Sequence, residues 1–200
     1  MKMKSLAIAA AALAVSAPVL ADGKPTIADL LDASGITASG RIEAGYDYAN
    51  TDGDPRPSPQ LTGGLTKGDQ FNLHQAAINI AKTPASGVGG AVTLLAGEDA
   101  KALNSNGDAI FPLQAYLSYA TGNLTVIGGR FLTLAGAEVI DSSANFNATR
   151  GILFSLQPTY HNGVRATYKV SDALSFTAGA VNSYSPADSE TNNQKTFEGN

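Results

Sequence analysis

The chain has 200 residues, with 13 basic and 17 acidic side chains for a net charge of −4, 21 glycines, two histidines and no cysteine or tryptophan. The absence of cysteine excludes a disulfide scaffold, a thiolate zinc site and a cysteine nucleophile. Two histidines, His74 and His161, leave little material for a metal site, and no cofactor is expected. Charged residues are 15% of the chain, below the about 25% of ordinary soluble domains. A hydrophobic fraction of 44% argues against wholesale disorder and equally against a bundle of transmembrane helices. The acidic balance argues against nucleic acid as a partner.

The chain opens as an export signal. Lys2 and Lys4 precede an Ala/Leu/Val-rich run from Leu6 to Val15, and Ser16–Ala21 ends in small residues. Val19 and Ala21 fit the −3/−1 positions of a signal-peptidase site, so residues 1–21 are a signal peptide and Asp22 is the mature start. Cleavage removes both lysines and takes the net charge to −6. Residues 22–35 form a short periplasmic segment, in which residues 27–32 suggest about two helical turns.

From Ile36 onward the period is two. Ile36, Ala38, Gly40, Ile42, Ala44, Tyr46 and Tyr48 alternate with Thr37, Ser39, Arg41, Glu43, Gly45 and Asp47. One face is apolar and ends in tyrosines; the other is polar and charged. The stretch is long enough to cross a bilayer, for which ~9–11 tilted residues suffice. Residues 70–82 continue the pattern but change phase near His74, which predicts a bulge. Residues 88–97 and 124–133 have mixed faces, and between them Ala115, Leu117 and Tyr119 alternate with Gln114, Tyr116 and Ser118. Val164, Ala166, Tyr168 and Val170 alternate with Arg165, Thr167 and Lys169, and residues 174–180 alternate again. Seven strands are expected, with the start of an eighth at residues 195–198.

The links between them alternate in length. Residues 50–69, 98–113, 134–160 and 183–194 are long, whereas 83–87, 121–123 and 171–173 are short. Such alternation is expected of an antiparallel up-and-down transmembrane β-barrel, with short periplasmic turns and long outer loops. The competing fold is a periplasmic β-sandwich. On the barrel topology Tyr46, Tyr48, Phe71 and Phe131 lie near the outer rim, and Tyr119, Tyr168 and Phe176 near the periplasmic rim. Because a barrel needs an even strand number and no open edge, residues 36–200 are expected to be the N-terminal part of a larger one.

The candidate functional residues are charges on the polar faces: Arg41, Glu43 and Asp47 on the first strand, Arg165 and Lys169 on the sixth, and Arg130, whose strand is ambiguous. Inside a wet pore they are tolerated and bias which ions pass, whereas Arg or Lys on the lipid face at mid-depth costs ~2–4 kcal/mol. Alternatively they pair across strands and hold the wall. Arg130, Arg165 and Lys169 together predict a locally positive wall with weak anion preference. Within 134–160, the run Ile152–Leu156 either belongs to a loop folded inward to narrow the pore or begins an extra strand near Arg150. His161 with Ser143 or Ser155 and Asp141 could be written as a hydrolytic triad. No Gly-x-Ser-x-Gly turn accompanies it, so His161 reads as a rim residue and the chain as no enzyme.

Several segments carry a resemblance: residues 39–46 (Ser-Gly-Arg-Ile-Glu-Ala-Gly-Tyr), 70–76 (Gln-Phe-Asn-Leu-His-Gln-Ala), 114–117, Gly128-Gly129-Arg130-Phe131 followed by Gly136 and Glu138, and above all residues 158–166 (Pro-Thr-Tyr-His-Asn-Gly-Val-Arg-Ala). Through them the chain resembles the β-barrel porin-2 family of OmpL-like outer-membrane proteins from about Ile36 onward. It departs at Asn182-Ser183-Tyr184, where the family tends to Asn-Gly-Trp. The resemblance implies a porin-like protein of the bacterial outer membrane and names no solute. The expected partners are outer-membrane lipid and lipopolysaccharide, with small hydrophilic solutes or ions as cargo; a homo-oligomer is compatible with this reading. The alternative is a non-conducting barrel that serves as a structural anchor or a surface-recognition protein.

Overall fold

A computed structural model describes residues 25–47, 70–104, 107–147, 149–182 and 195–200. The expected signal peptide, Tyr48 and most of two long links lie outside the described residues. Helix α1 (Ile27–Ser34) starts at a capping box: the Thr26 hydroxyl accepts from the Asp29 amide, and the Asp29 carboxylate accepts from the Thr26 amide. It stops at Gly35, whose left-handed backbone (φ 65°) lets its N–H reach back to the carbonyls of Leu31 and Asp32. The chain then extends at once into the first strand.

Eight strands follow: β1 (Ile36–Asp47), β2 (Gln70–Lys82), β3 (Gly87–Ala96), β4 (Ile110–Thr121), β5 (Leu124–Leu132), β6 (Tyr160–Lys169), β7 (Ser175–Val181) and β8 (Thr196–Gly199). They form one antiparallel sheet in strict chain order. The two long links that are described, β3–β4 and β5–β6, emerge at one end of the sheet and the three short ones at the other. Among the described residues β1 and β8 each pair on one side only, so the sheet is open. Among the described residues the other helices are α2 (Glu98–Leu103) in the β3–β4 link, and α3 (Ile152–Leu156) with a single 3-10 turn (Ser142–Ala144) in the β5–β6 link.

The phase change expected at His74 is a register shift. Glu43 pairs with Gln75 and Ala44 with Leu73, which leaves His74 as the extra residue of a bulge. A second shift skips Leu113: Thr93 pairs with Gln114 and Leu94 with Pro112. This bulge explains why β4 starts at Ile110, several residues before its alternation becomes clean.

The pleat sorts side chains onto two faces. One carries exposed apolar groups, including Ile42 (72% exposed), Phe71 (84%), Ile78, Val88, Leu117, Val164 and Phe176. The other carries the charges and amides. The buried core lies on the polar side, toward the long-link end, and is shared by strands and links. Ala77, Leu95, Phe111, Leu113 and Tyr160 pack there with Ala100 of α2 and with Ile140 and Phe154 of the β5–β6 segment. The segment is therefore docked on the sheet. Its run 152–156 is a short helix, not an extra strand: the Glu138 carboxylate accepts from the Gly151 amide just ahead of it, and Phe154 turns into the core while Ile152, Leu153 and Leu156 stand exposed.

The aromatic side chains follow the expected levels with one exception. Tyr46 and Phe71 meet edge to face at 4.9 Å near the long links, and Tyr119, Tyr168 and Phe176 stand exposed near the short turns. Phe131 is instead buried, with the Arg165 guanidinium 4.3 Å from its ring centre. Its partner in the register is His161, also buried, so it belongs to the inner side.

Candidate functional site: the polar face and the segment docked on it

Gln75 is the centre of the arrangement. The bulge at His74 sets it opposite Glu43 on the polar face, where it is fully buried. Its carbonyl oxygen accepts two bonds from the Arg41 guanidinium, at 3.2 and 3.0 Å. Its amide nitrogen donates to Asp99 Oδ2 of α2 at 2.6 Å, to the Ile140 carbonyl at 2.8 Å and to Ser142 Oγ at 3.3 Å. One side chain thus joins β1, β2, the β3–β4 link and the β5–β6 segment.

Two arginines hold the segment. Arg41 of β1 forms an ion pair with Asp141 at 3.2 Å. Within the segment the buried Arg150 donates to the carbonyls of Val139 and Ile140, each at 2.7 Å, and to Ser142 Oγ at 3.1 Å. Burial lowers the Arg150 pKa from the ordinary guanidinium value, while the nearby carboxylates of Asp99, Glu43, Glu138 and Asp141 oppose the change. A guanidinium keeps its proton under such conditions. The residues around Arg150 are therefore two cations, Arg41 and Arg150, among four carboxylates.

The remaining candidate charges are satisfied locally. Asp47 takes the His74 Nε2 at 3.2 Å and accepts from the Asn72 amide. Arg165 forms a two-pronged pair with Glu198 of β8, at 2.6 and 3.0 Å. Lys169 is paired with Asp172 in the β6–β7 turn at 2.7 Å, where both are exposed. Arg130 stands in the register row of Val92, Ala115 and Asn162, and donates to Asn162 Oδ1 and the Pro112 carbonyl. Its guanidinium lies over the rings of Tyr160 (4.6 Å) and Phe111 (5.3 Å). Of the three cations expected to make a positive wall, Arg165 and Lys169 each have an acid beside them, and Arg130 stands in a row of the apolar face.

The polar face carries further side-chain ladders: Thr93 donates to Asn79 and accepts from Gln114, and Thr167 shares a 3.0 Å bond with Thr177. Of the residues considered as a triad, Asp141 accepts from the amide and hydroxyl of Ser143 in a local turn, and His161 shares a 3.3 Å bond with Thr133; the Ser155 side chain lies outside the described residues. No group of three or more His, Asp or Glu that could hold a metal occurs among the described residues.

Sequence reading missed Gln75 and Asp99 as site residues and noted Arg150 only as the start of a strand. Period-two alternation locates inward side chains but does not reveal which link returns to cover them. The one available signal was the length of the 134–160 link together with its own apolar run.

No curated protein and no solved structure matches the chain. The family described as "Putative beta-barrel porin-2, OmpL-like" matches residues 35–200, all eight strands and every link between them. The chain belongs to that family.

Proposed function

We propose that the chain forms the wall of an outer-membrane channel that passes small hydrophilic solutes by diffusion. The observation that carries this reading is the division of the sheet into an exposed apolar face and a charged, hydrogen-bonded one. Apolar patches beyond a few hundred Å² are rarely left to water, and strands that alternate this way suit lipid on one side and an aqueous interior on the other. An open edge in lipid would leave backbone groups unpaired at several kcal/mol each, so the reading includes closure of the sheet into a barrel. The export signal, the outer-membrane location and contact with lipid and lipopolysaccharide belong to the same proposal. Arg41, Glu43, Asp47, Arg165 and Lys169 then face or border the lumen, whereas Arg130, in the row of Val92 and Ala115, stands on the apolar face and is not part of the pore wall.

The second reading, a non-conducting anchor or surface-recognition barrel, is favoured by one feature: Ile140 and Phe154 of the β5–β6 segment pack into the apolar cluster on the inner side and occupy part of that space. Liposomes carrying the purified full-length protein separate the two. Swelling in an isotonic small sugar is expected for a channel; an unchanged volume at high protein load supports the anchor.

A further inference from the structure

We infer that Gln75 is a positioning residue that sets the bore and charge selectivity of the channel, by seating the β5–β6 segment and α2 on the wall. The inference rests on the channel reading above. All the hydrogen-bonding capacity of the Gln75 amide is engaged: two guanidinium nitrogens on its oxygen and three acceptors around its nitrogen. No other residue type fits. A glutamate would accept from Arg41 but present a second carboxylate to the buried Asp99 and to the Ile140 carbonyl. An asparagine is one methylene too short, and a leucine removes all five bonds, leaving the Ile140 carbonyl and Ser142 Oγ to Arg150 and Arg41 to Asp141.

The stretch Val139–Ser142 is held by three side chains. Gln75 and Arg41 hold it from the wall through the Ile140 carbonyl, Ser142 Oγ and the Asp141 carboxylate. Arg150 shares the Ile140 carbonyl and Ser142 Oγ with Gln75 and adds the Val139 carbonyl. The stretch brings Asp141 to the wall, and Glu138 follows one residue before it. Releasing the stretch therefore widens the passage and removes fixed carboxylates from it together. Glu43 and Asp99 stay with β1 and α2. The wild-type lumen is accordingly cation-preferring on this side, and the preference depends on the seat.

The test is single-channel recording of the full-length protein in planar bilayers under a salt gradient, with Gln75→Ala, Gln75→Glu and Ser142→Ala. Gln75→Ala is expected to raise unit conductance and move the reversal potential toward zero. Gln75→Glu should do the same at neutral pH and revert toward wild type on acidification, which protonates the introduced carboxyl and restores a donor; wild type at the same acidic pH is the reference. Ser142→Ala, which removes one acceptor from the segment side, should shift both quantities in the same direction by less, and it serves if the Gln75 variants do not insert. Conducting variants with wild-type conductance and reversal potential would overturn the inference and leave the channel reading intact. A silent wild type would remove the channel reading and this inference with it.

Discussion

Arg165 and Glu198 lie on strands separated by β7, and they meet because Gly179 stands between them in the register. A Cβ at Gly179 would come within 2.5 Å of Glu198 Oε1, so the glycine is the opening through which the pair forms. Both side chains are largely buried, and Arg165 also covers the Phe131 ring. Removing one member of such a pair leaves the other charge without compensation. Arg165→Ala is expected to lower stability by about 3 kcal/mol, the low end of the range for buried pairs, read as a shift of the urea midpoint in lipid vesicles. Gly179→Leu should disturb the same pair and shift the midpoint in the same direction. Asp29 offers a pH test outside the strands. Its bonds with Thr26 lower its pKa below the ordinary 3.8. A lowered carboxylate pKa stabilises the fold above the unfolded value, and that contribution is lost as pH falls through the lowered one. Amide protection in α1, measured against the unfolded chain at the same pH, should therefore be high at neutral pH and fall below pH ~4, with Asp29→Asn already weakly protected at pH 7. An acid-insensitive α1 would contradict the capping box.

The strands were legible in the sequence because a half-buried strand writes its two faces at alternate positions. Arg41, Ile42, Glu43 and Ala44 carry this pattern plainly, and the phase slip at His74 reported the bulge that the register contains. Where it failed, a competing constraint had replaced it. Tyr160 and His161 are both buried at the start of β6, because the docked segment covers the strand entrance from the inner side. Residues 152–156 looked strand-like as an apolar run, yet Glu138 bonds the Gly151 amide and the chain turns helical beyond it. Tertiary contacts made by Glu138, Arg150 and Gln75 decide this region, and such contacts leave no period in the sequence. The docking has its own test. Arg150→Gln strips the Val139–Ser142 stretch of its charged donor, and chymotrypsin should then cut after Leu153 or Phe154 faster than in wild type, with the strands left intact. Equal cleavage rates would show that the apolar cluster alone holds the segment.

At the scale of the molecule, the claim that unites these observations is that one face of the sheet is wet and the other lies in lipid. The chain contains no cysteine, so single cysteines can be introduced against a silent background. Thr167 and Thr177 share a bond on the polar face, and Val164 and Leu117 stand exposed on the apolar face. The most direct measurement records single channels of Thr167→Cys, Thr177→Cys, Val164→Cys and Leu117→Cys proteins while a charged, membrane-impermeant thiol reagent is added. Stepwise loss of current is expected for the two threonine positions and an unchanged current for the two apolar ones. Loss of current at 164 or 117 with none at 167 or 177, or a wild-type protein that never opens a channel, would contradict the account.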